Sequence, residues 1–219
     1  MVFATPRDRP VSITIVSDKK DGPAPAAENP FPTAPGHPAE PRTRTEPTEN
    51  PRRSTLTATD DLLTRNHRQR ESWDGQVPGP PSLRTAVVTC MDCRIDPVRT
   101  LDLGTGEAHV IRNAGGAVTE DVLRSLSVSQ RKLGTTEVVL MHHTRCGMAT
   151  FAEGEFKQEL EEETGQRPTW SVETFADTEQ DLRQSARRVR QSPFLTETTS
   201  VRAFVHDIDS DELTEVSLD

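Results

Sequence analysis

The 219-residue chain contains no tyrosine, and aromatic residues make up only 4% of it, so its core is expected to be mainly aliphatic. No apolar run approaches the roughly 20 residues that a membrane-spanning helix needs. The N-terminus lacks the basic start and apolar stretch of a signal peptide. A net charge of −9 argues against a nucleic-acid partner. We therefore expect a protein that binds neither membranes nor nucleic acids.

Cysteine is also scarce. The three cysteines fall in two short motifs, and each motif directly follows an apolar run with high β propensity. The first motif is Cys90-Met91-Asp92-Cys93-Arg94, and the second is His142-His143-Thr144-Arg145-Cys146-Gly147. An odd number of clustered cysteines fits a reducing compartment, so the cytoplasm is the expected location.

The composition of the chain changes near residue 55. Residues 1–55 carry 11 of the 17 prolines and little that could form a core, apart from the isolated apolar run Val11–Val16. Such a segment cannot bury enough apolar surface to offset the entropy of ordering it. We predict a disordered, proline-rich tail over 1–55 and one folded domain over 56–219.

Strand and helix patterns alternate from residue 56 onward, which predicts an α/β fold. We expect a mainly parallel four-stranded sheet that is extended by a C-terminal strand, with helices on both faces. The predicted strands are 84–89, 108–113, 137–143, 201–208 and 213–218, and the predicted helices are 61–66, 119–133, 151–164 and 172–191. In such sheets ligands collect at the carboxyl ends of the strands.

Both cysteine motifs lie at such strand ends, so the chemistry and the topology agree. Thiolate and imidazole side chains delivered from two strand ends are the ligands that zinc prefers. Cys90, His143 and Cys146 are therefore candidate zinc ligands. Three protein ligands would leave one tetrahedral position open, as in catalytic zinc sites.

Three motifs in this order resemble those of the β-class carbonic anhydrases, and in particular the shorter bacterial members. They are Cys90-x-Asp92-x-Arg94, His109–Gly116 and His143-x-x-Cys146-Gly147-Met148. The resemblance implies zinc held by Cys90, His143 and Cys146, with Asp92 and Arg94 as the catalytic pair. It also places the glycine pair Gly115 and Gly116 beside the metal, where they are candidates for contact with substrate.

The activity that this resemblance implies is the reversible hydration of carbon dioxide to bicarbonate by zinc-bound hydroxide. It implies a homodimer or homotetramer as well. The same family frame serves enzymes that hydrolyse CS2 or COS, and the sequence alone does not separate these substrates.

Two positions differ from the family pattern and open alternatives. Cys93 replaces a small residue, which allows a closed, catalytically silent site of three cysteines and one histidine, or a dithiol redox pair with Cys90. Arg145 stands where many relatives carry Asp or Gly. Its charge could attract bicarbonate or compete with Arg94 for Asp92.

Overall fold

A five-stranded sheet forms the centre of the computed structural model, which describes residues 57–70, 73, 75, 77–197 and 200–219. The strands are β1 (Thr85–Cys90), β2 (Ala108–Asn113), β3 (Glu137–His143), β4 (Val201–His206) and β5 (Leu213–Val216). The strands lie in the order β2-β1-β3-β4-β5. All neighbours are parallel except β4 and β5, which pair antiparallel. The predicted α/β sheet and its C-terminal hairpin are confirmed.

Within the described residues five α-helices accompany the sheet, and four of them begin at a residue whose side chain caps the helix. They are α1 (Ala58–Gln69), α2 (Pro97–Thr100), α3 (Glu120–Leu133), α4 (Glu153–Thr164) and α5 (Thr178–Gln191). At the start of α3, the Thr119 hydroxyl accepts a hydrogen bond from the Val122 amide, and Gly134 ends the helix in a left-handed conformation. Among the described residues, no helix has the length and apolar character needed to cross a membrane.

The aliphatic core lies between the sheet and helices α3 and α5. Side chains from one face of four strands pack with apolar residues of both helices, including Ala86, Val88, Leu140, Leu126 and Leu182. The chain runs from β1 through α2 to β2, which lies on one side of β1 in the sheet, whereas β3 lies on the other side. Because parallel crossovers are right-handed, that connection lies on the other face of the sheet.

Several element bounds differ from the sequence prediction; α1, for example, covers Ala58–Gln69 instead of 61–66. Helix α5 begins at Thr178 rather than near residue 172, because the Asp177 carboxylate accepts a hydrogen bond from the Gln180 amide and caps it. Helix α4 begins at Glu153 rather than at residue 151. Helix α2 was not predicted, although Asp96 caps it and Pro97 opens it.

Two expectations lie outside the described residues. These are the proline-rich tail over 1–55, with its domain boundary, and the isolated strand Val11–Val16 within it.

Gly116 lets the turn after β2 pack directly against the end of β1. Its φ is +72°, and a Cβ placed there would lie 2.9 Å from the Thr89 carbonyl carbon and 3.0 Å from the Cys90 nitrogen. Both obstacles are backbone atoms, so a side chain could enter only if the end of β1 moved.

Replacing Gly116 with alanine should therefore destabilise the protein by about 3 kcal/mol or more, since steric overlap adds to the cost of a left-handed alanine. Gly134→Ala is the matched control, because Gly134 has a φ of +75° and no atom within 4 Å of its added Cβ. The control should cost only about 1 kcal/mol. Urea denaturation measures the free energy of unfolding of both variants. Equal losses would show that the close approach of Gly116 to the end of β1 is not important.

Candidate metal centre

Two thiols and one imidazole converge at the carboxyl end of the sheet. Cys90 is the last residue of β1, His143 is the last residue of β3, and Cys146 follows in the adjoining loop. Their ligand atoms all lie within 4.8 Å of one another, and all three residues are buried. Parallel strands bring these ends together because β1 and β3 are direct neighbours in register.

The hydrogen bonding of His143 leaves one ring nitrogen for the cluster. Its Nδ1 lies 2.9 Å from the Thr144 carbonyl oxygen, so Nδ1 carries the proton and donates it there. Its Nε2 is buried and has no hydrogen-bond partner. A metal-binding histidine is oriented in this way, with one nitrogen bonded to the backbone and the other free for the ion.

The two sulfur atoms lie 3.9 Å apart, within reach of one shared hydrogen bond. That bond with Cys146 lowers the pKa of the Cys90 thiol well below its usual range, against the opposing effect of burial. The same bond to Cys90 and burial raise the pKa of the Cys146 thiol. Two thiolates this close therefore require a cation between them.

These observations fit zinc. Two sulfurs bound at about 2.3 Å in a tetrahedral arrangement are about 3.8 Å apart, close to the separation seen here. The unpartnered Nε2 of His143 and the coupled thiols provide a neutral nitrogen and two potential thiolates, a donor set that suits this metal.

Asp92 and Arg94 form a bidentate pair beside this cluster. Arg94 Nε lies 2.9 Å from Asp92 Oδ1, and Nη2 lies 2.6 Å from Oδ2. Asp92 Oδ2 is 3.8 Å from His143 Nε2, so the carboxylate faces the metal-binding nitrogen. The hydrogen bonds from Arg94 lower the pKa of Asp92 to about 2, which keeps it ionised at neutral pH.

Cys93 does not join the cluster. It is exposed, whereas Cys90 and Cys146 are buried, and the group of residues able to hold a metal does not include it. Among the described residues, the donor set therefore has three members. This arrangement argues against the closed site with three cysteines.

Arg112 forms hydrogen bonds with the loop that follows β1, and the sequence did not predict these partners. Its Nε donates to the Cys90 carbonyl at 2.8 Å, and its Nη2 donates to the carbonyls of Asp92 at 2.7 Å and Ile95 at 3.2 Å. One guanidinium thus satisfies three carbonyls of the segment that carries a metal ligand and the acidic residue of the pair. The alternating pattern of residues along β2 did not predict this role for Arg112.

Both glycines of the pair lie against residues of the centre or its surroundings. A Cβ at Gly116 would come within 3.0 Å of the Cys90 nitrogen, and a Cβ at Gly115 would come within 3.2 Å of the Met148 side chain. Contact between substrate and Gly115 or Gly116 stays a prediction.

The partner of Arg145 was also missed from the sequence. Its guanidinium donates to the Asp209 carboxylate in the turn between β4 and β5. Arg145 therefore forms an ion pair with Asp209 rather than with Asp92, while its own backbone carbonyl accepts a 2.9 Å hydrogen bond from Arg94.

The position of the donor set in the fold defines the class of protein. A zinc site with three protein ligands, bordered by an ionised carboxylate at the carboxyl edge of a parallel sheet, is typical of a metalloenzyme and not of a structural zinc site.

Comparison with known proteins gives the family. The carbonic anhydrase family matches residues 85–217. The β-carbonic anhydrase 1 of Mycobacterium tuberculosis is 51% identical over 162 residues, which is 74% of this chain and 99% of the relative. The crystal structure of a carbonic anhydrase from Streptococcus mutans superposes with a TM-score of 0.71 at 34% identity, covering 74% of this chain and 99% of that one.

A more distant similarity links the chain to a carbon disulfide hydrolase from Acidianus. That relative is 43% identical over 72 residues, which is 33% of this chain and 35% of the relative.

The match to the family and the similarity to the mycobacterial and streptococcal enzymes show that the chain belongs to the carbonic anhydrase family, in its β class. This membership, together with the donor set, confirms the predicted zinc enzyme for the interconversion of carbon dioxide and bicarbonate.

Cys146→Ser should abolish stoichiometric zinc binding, with an affinity loss of more than about 100-fold, since even outer-shell changes cost 10–100-fold. Cys93→Ser is the matched control and should keep one zinc per chain. Metal analysis of the two purified variants decides the point. Loss of zinc from the Cys93 variant would instead support the closed site.

Proposed function

We propose that Asp92 and Arg94 are the catalytic pair of a carbon dioxide hydratase whose zinc is held by Cys90, His143 and Cys146. The observation that supports this most directly is the 3.8 Å separation between Asp92 Oδ2 and the unpartnered His143 Nε2. It places an ionised carboxylate next to the atom that would bind the metal.

Bound zinc would supply a Lewis acid that lowers the pKa of water and so provides a nucleophile near neutral pH. Asp92 can accept a hydrogen bond from that water and orient its lone pair toward the substrate carbon. Asp92 can do this only while it is ionised, and the hydrogen bonds from Arg94 hold its pKa at about 2. Arg94 thus acts by keeping the carboxylate charged and fixed in direction.

Carbon dioxide is favoured over carbon disulfide as the substrate. Support comes from the extent of the similarity, which spans 99% of the mycobacterial carbonic anhydrase but only 35% of the Acidianus hydrolase. Measuring CO2 hydration and CS2 hydrolysis on one zinc-loaded preparation tests this choice. Faster turnover of CS2 would contradict it.

Asp92→Asn should lower kcat by about 100-fold, because the amide keeps the shape of the side chain but loses the charge that orients water. Zinc content should not change. Asp121→Asn is the control, since Asp121 forms an exposed pair with Arg124 and lies on α3. Stopped-flow hydration kinetics measure both variants, and an Asp92 variant with more than half the native kcat would contradict the assignment.

We also propose that the enzyme is a homodimer or a higher homo-oligomer in which α1 packs on a second copy. Helix α1 buries none of its residues, and Leu62 and Leu63 are 60% and 57% exposed. A helix of about 12 residues is marginal in water without packing.

Replacing Leu62 and Leu63 together with glutamate should therefore shift the protein toward monomer by at least about tenfold in dissociation constant. Thr64→Glu, on the opposite face of the same helix, is the control and should leave the assembly intact. Sedimentation velocity over a concentration series gives both values. An unchanged assembly in the double variant would show that α1 does not form the interface.

A reducing compartment is also proposed, because the centre requires Cys90 and Cys146 as free thiols. The cytoplasm is the expected location, and fractionation of the source cells tests it.

A further inference from the structure

Arg94 is held by a second acceptor in addition to Asp92. Its Nη2 donates both to Asp92 Oδ2, at 2.6 Å, and to the backbone carbonyl of Arg145, at 2.9 Å. The Arg94 side chain is 48% exposed, so little packing restrains it. The direction of the Arg145 carbonyl therefore helps to determine where the guanidinium holds Asp92.

That carbonyl belongs to a residue with an unfavourable backbone conformation. Arg145 has a φ of +54°, in the left-handed region that residues other than glycine avoid. The conformation has to be stabilised by contacts elsewhere. The side-chain contact that the structure describes for Arg145 is the ion pair with Asp209, which adds to the hydrogen bond that the Arg145 carbonyl accepts from Arg94.

Asp209 lies in a turn that is itself well anchored. The Asp207 carboxylate accepts hydrogen bonds from the amides of Asp209, at 2.8 Å, and Ser210, at 3.1 Å. The Ile208 amide donates to the Thr144 hydroxyl at 3.1 Å, which ties the turn to the loop that carries Arg145. The Asp209 carboxylate is thus presented to Arg145 from a fixed position.

We propose that Asp209 is a positioning residue for the hydration reaction. Its ion pair with Arg145 holds the left-handed backbone whose carbonyl accepts the hydrogen bond from Arg94, and through Arg94 it fixes the direction of Asp92. This inference rests on the proposed roles of Asp92 and Arg94. It also assigns a role to Arg145, one of the two positions at which the chain departs from the family pattern.

Loss of the Asp209 charge should affect turnover more than stability. Arg145 and Asp209 are 60% and 72% exposed, and a pair this exposed adds little to folding. Without it, Arg145 can leave the left-handed region and turn its carbonyl away from Arg94. The catalytic carboxylate then loses part of its orientation although the metal ligands are untouched.

Asp209→Asn should lower kcat about two- to fivefold, with KM and zinc content unchanged, and Asp209→Glu should recover most of the loss. Glu215→Gln is the matched control, because Glu215 forms an ion pair with Arg202 on the same hairpin but away from the centre. Its kcat should stay at the native value. An Asp209 variant with native kcat would overturn the inference.

The sharper test places the same change in an Arg145→Gly background. Glycine adopts the left-handed conformation without a supporting side chain, so Asp209→Asn should then cause no further loss. An equal loss in both backgrounds would overturn the inference, because Asp209 would then act independently of Arg145.

A readout that does not require turnover separates this inference from the proposed function. The Arg94 Nε–H, which donates to Asp92, should exchange with solvent faster in Asp209→Asn than in the native protein, as measured by 15N NMR. An inactive native enzyme with this difference would refute the catalytic roles and leave the positioning intact. Identical exchange in the two proteins would overturn the positioning itself.

Discussion

The parallel pairing of β1 with β3 is the constraint on which the rest of the structure depends. Thr89 pairs with Met141, so the two strands end side by side and deliver Cys90 and His143 to one point. Cys146, in the loop after β3, completes the group with its sulfur 3.9 Å from that of Cys90. A shift of one residue in either strand would move one of the two strand-end ligands by about 3.3 Å along the sheet and disrupt the centre.

Several contacts maintain that arrangement without belonging to the donor set. Gly116 allows the turn after β2 to touch the backbone at Thr89, and the Arg112 guanidinium satisfies three carbonyls after β1. On the other side, Asp211 accepts hydrogen bonds from Arg99, Thr100 and His206, which joins the β4–β5 turn to α2. The loop that carries Asp92 and Arg94 is therefore held from two directions.

Local chemistry explains why much of the fold could be predicted from the sequence. The bounds of β2 and β3 agree with the prediction, and α3 is framed by Thr119 and Gly134, whose preferences act within a few residues. The start of α5 was predicted too early because apolar residues already occur from Val172 onward, in a segment before the helix that is not helical. Asp177 caps the helix, and the apolar residues that precede it concealed that capping signal.

The sequence by itself determined the donor types and their places at strand ends, because ligand chemistry and strand patterns are written in neighbouring residues. Only the tertiary structure decided that Cys93 stays outside the cluster and that Arg145 binds Asp209, which is 64 residues away. It also gave Arg112 its acceptors. Contacts between distant residues depend on register and on loop paths, which no local pattern encodes.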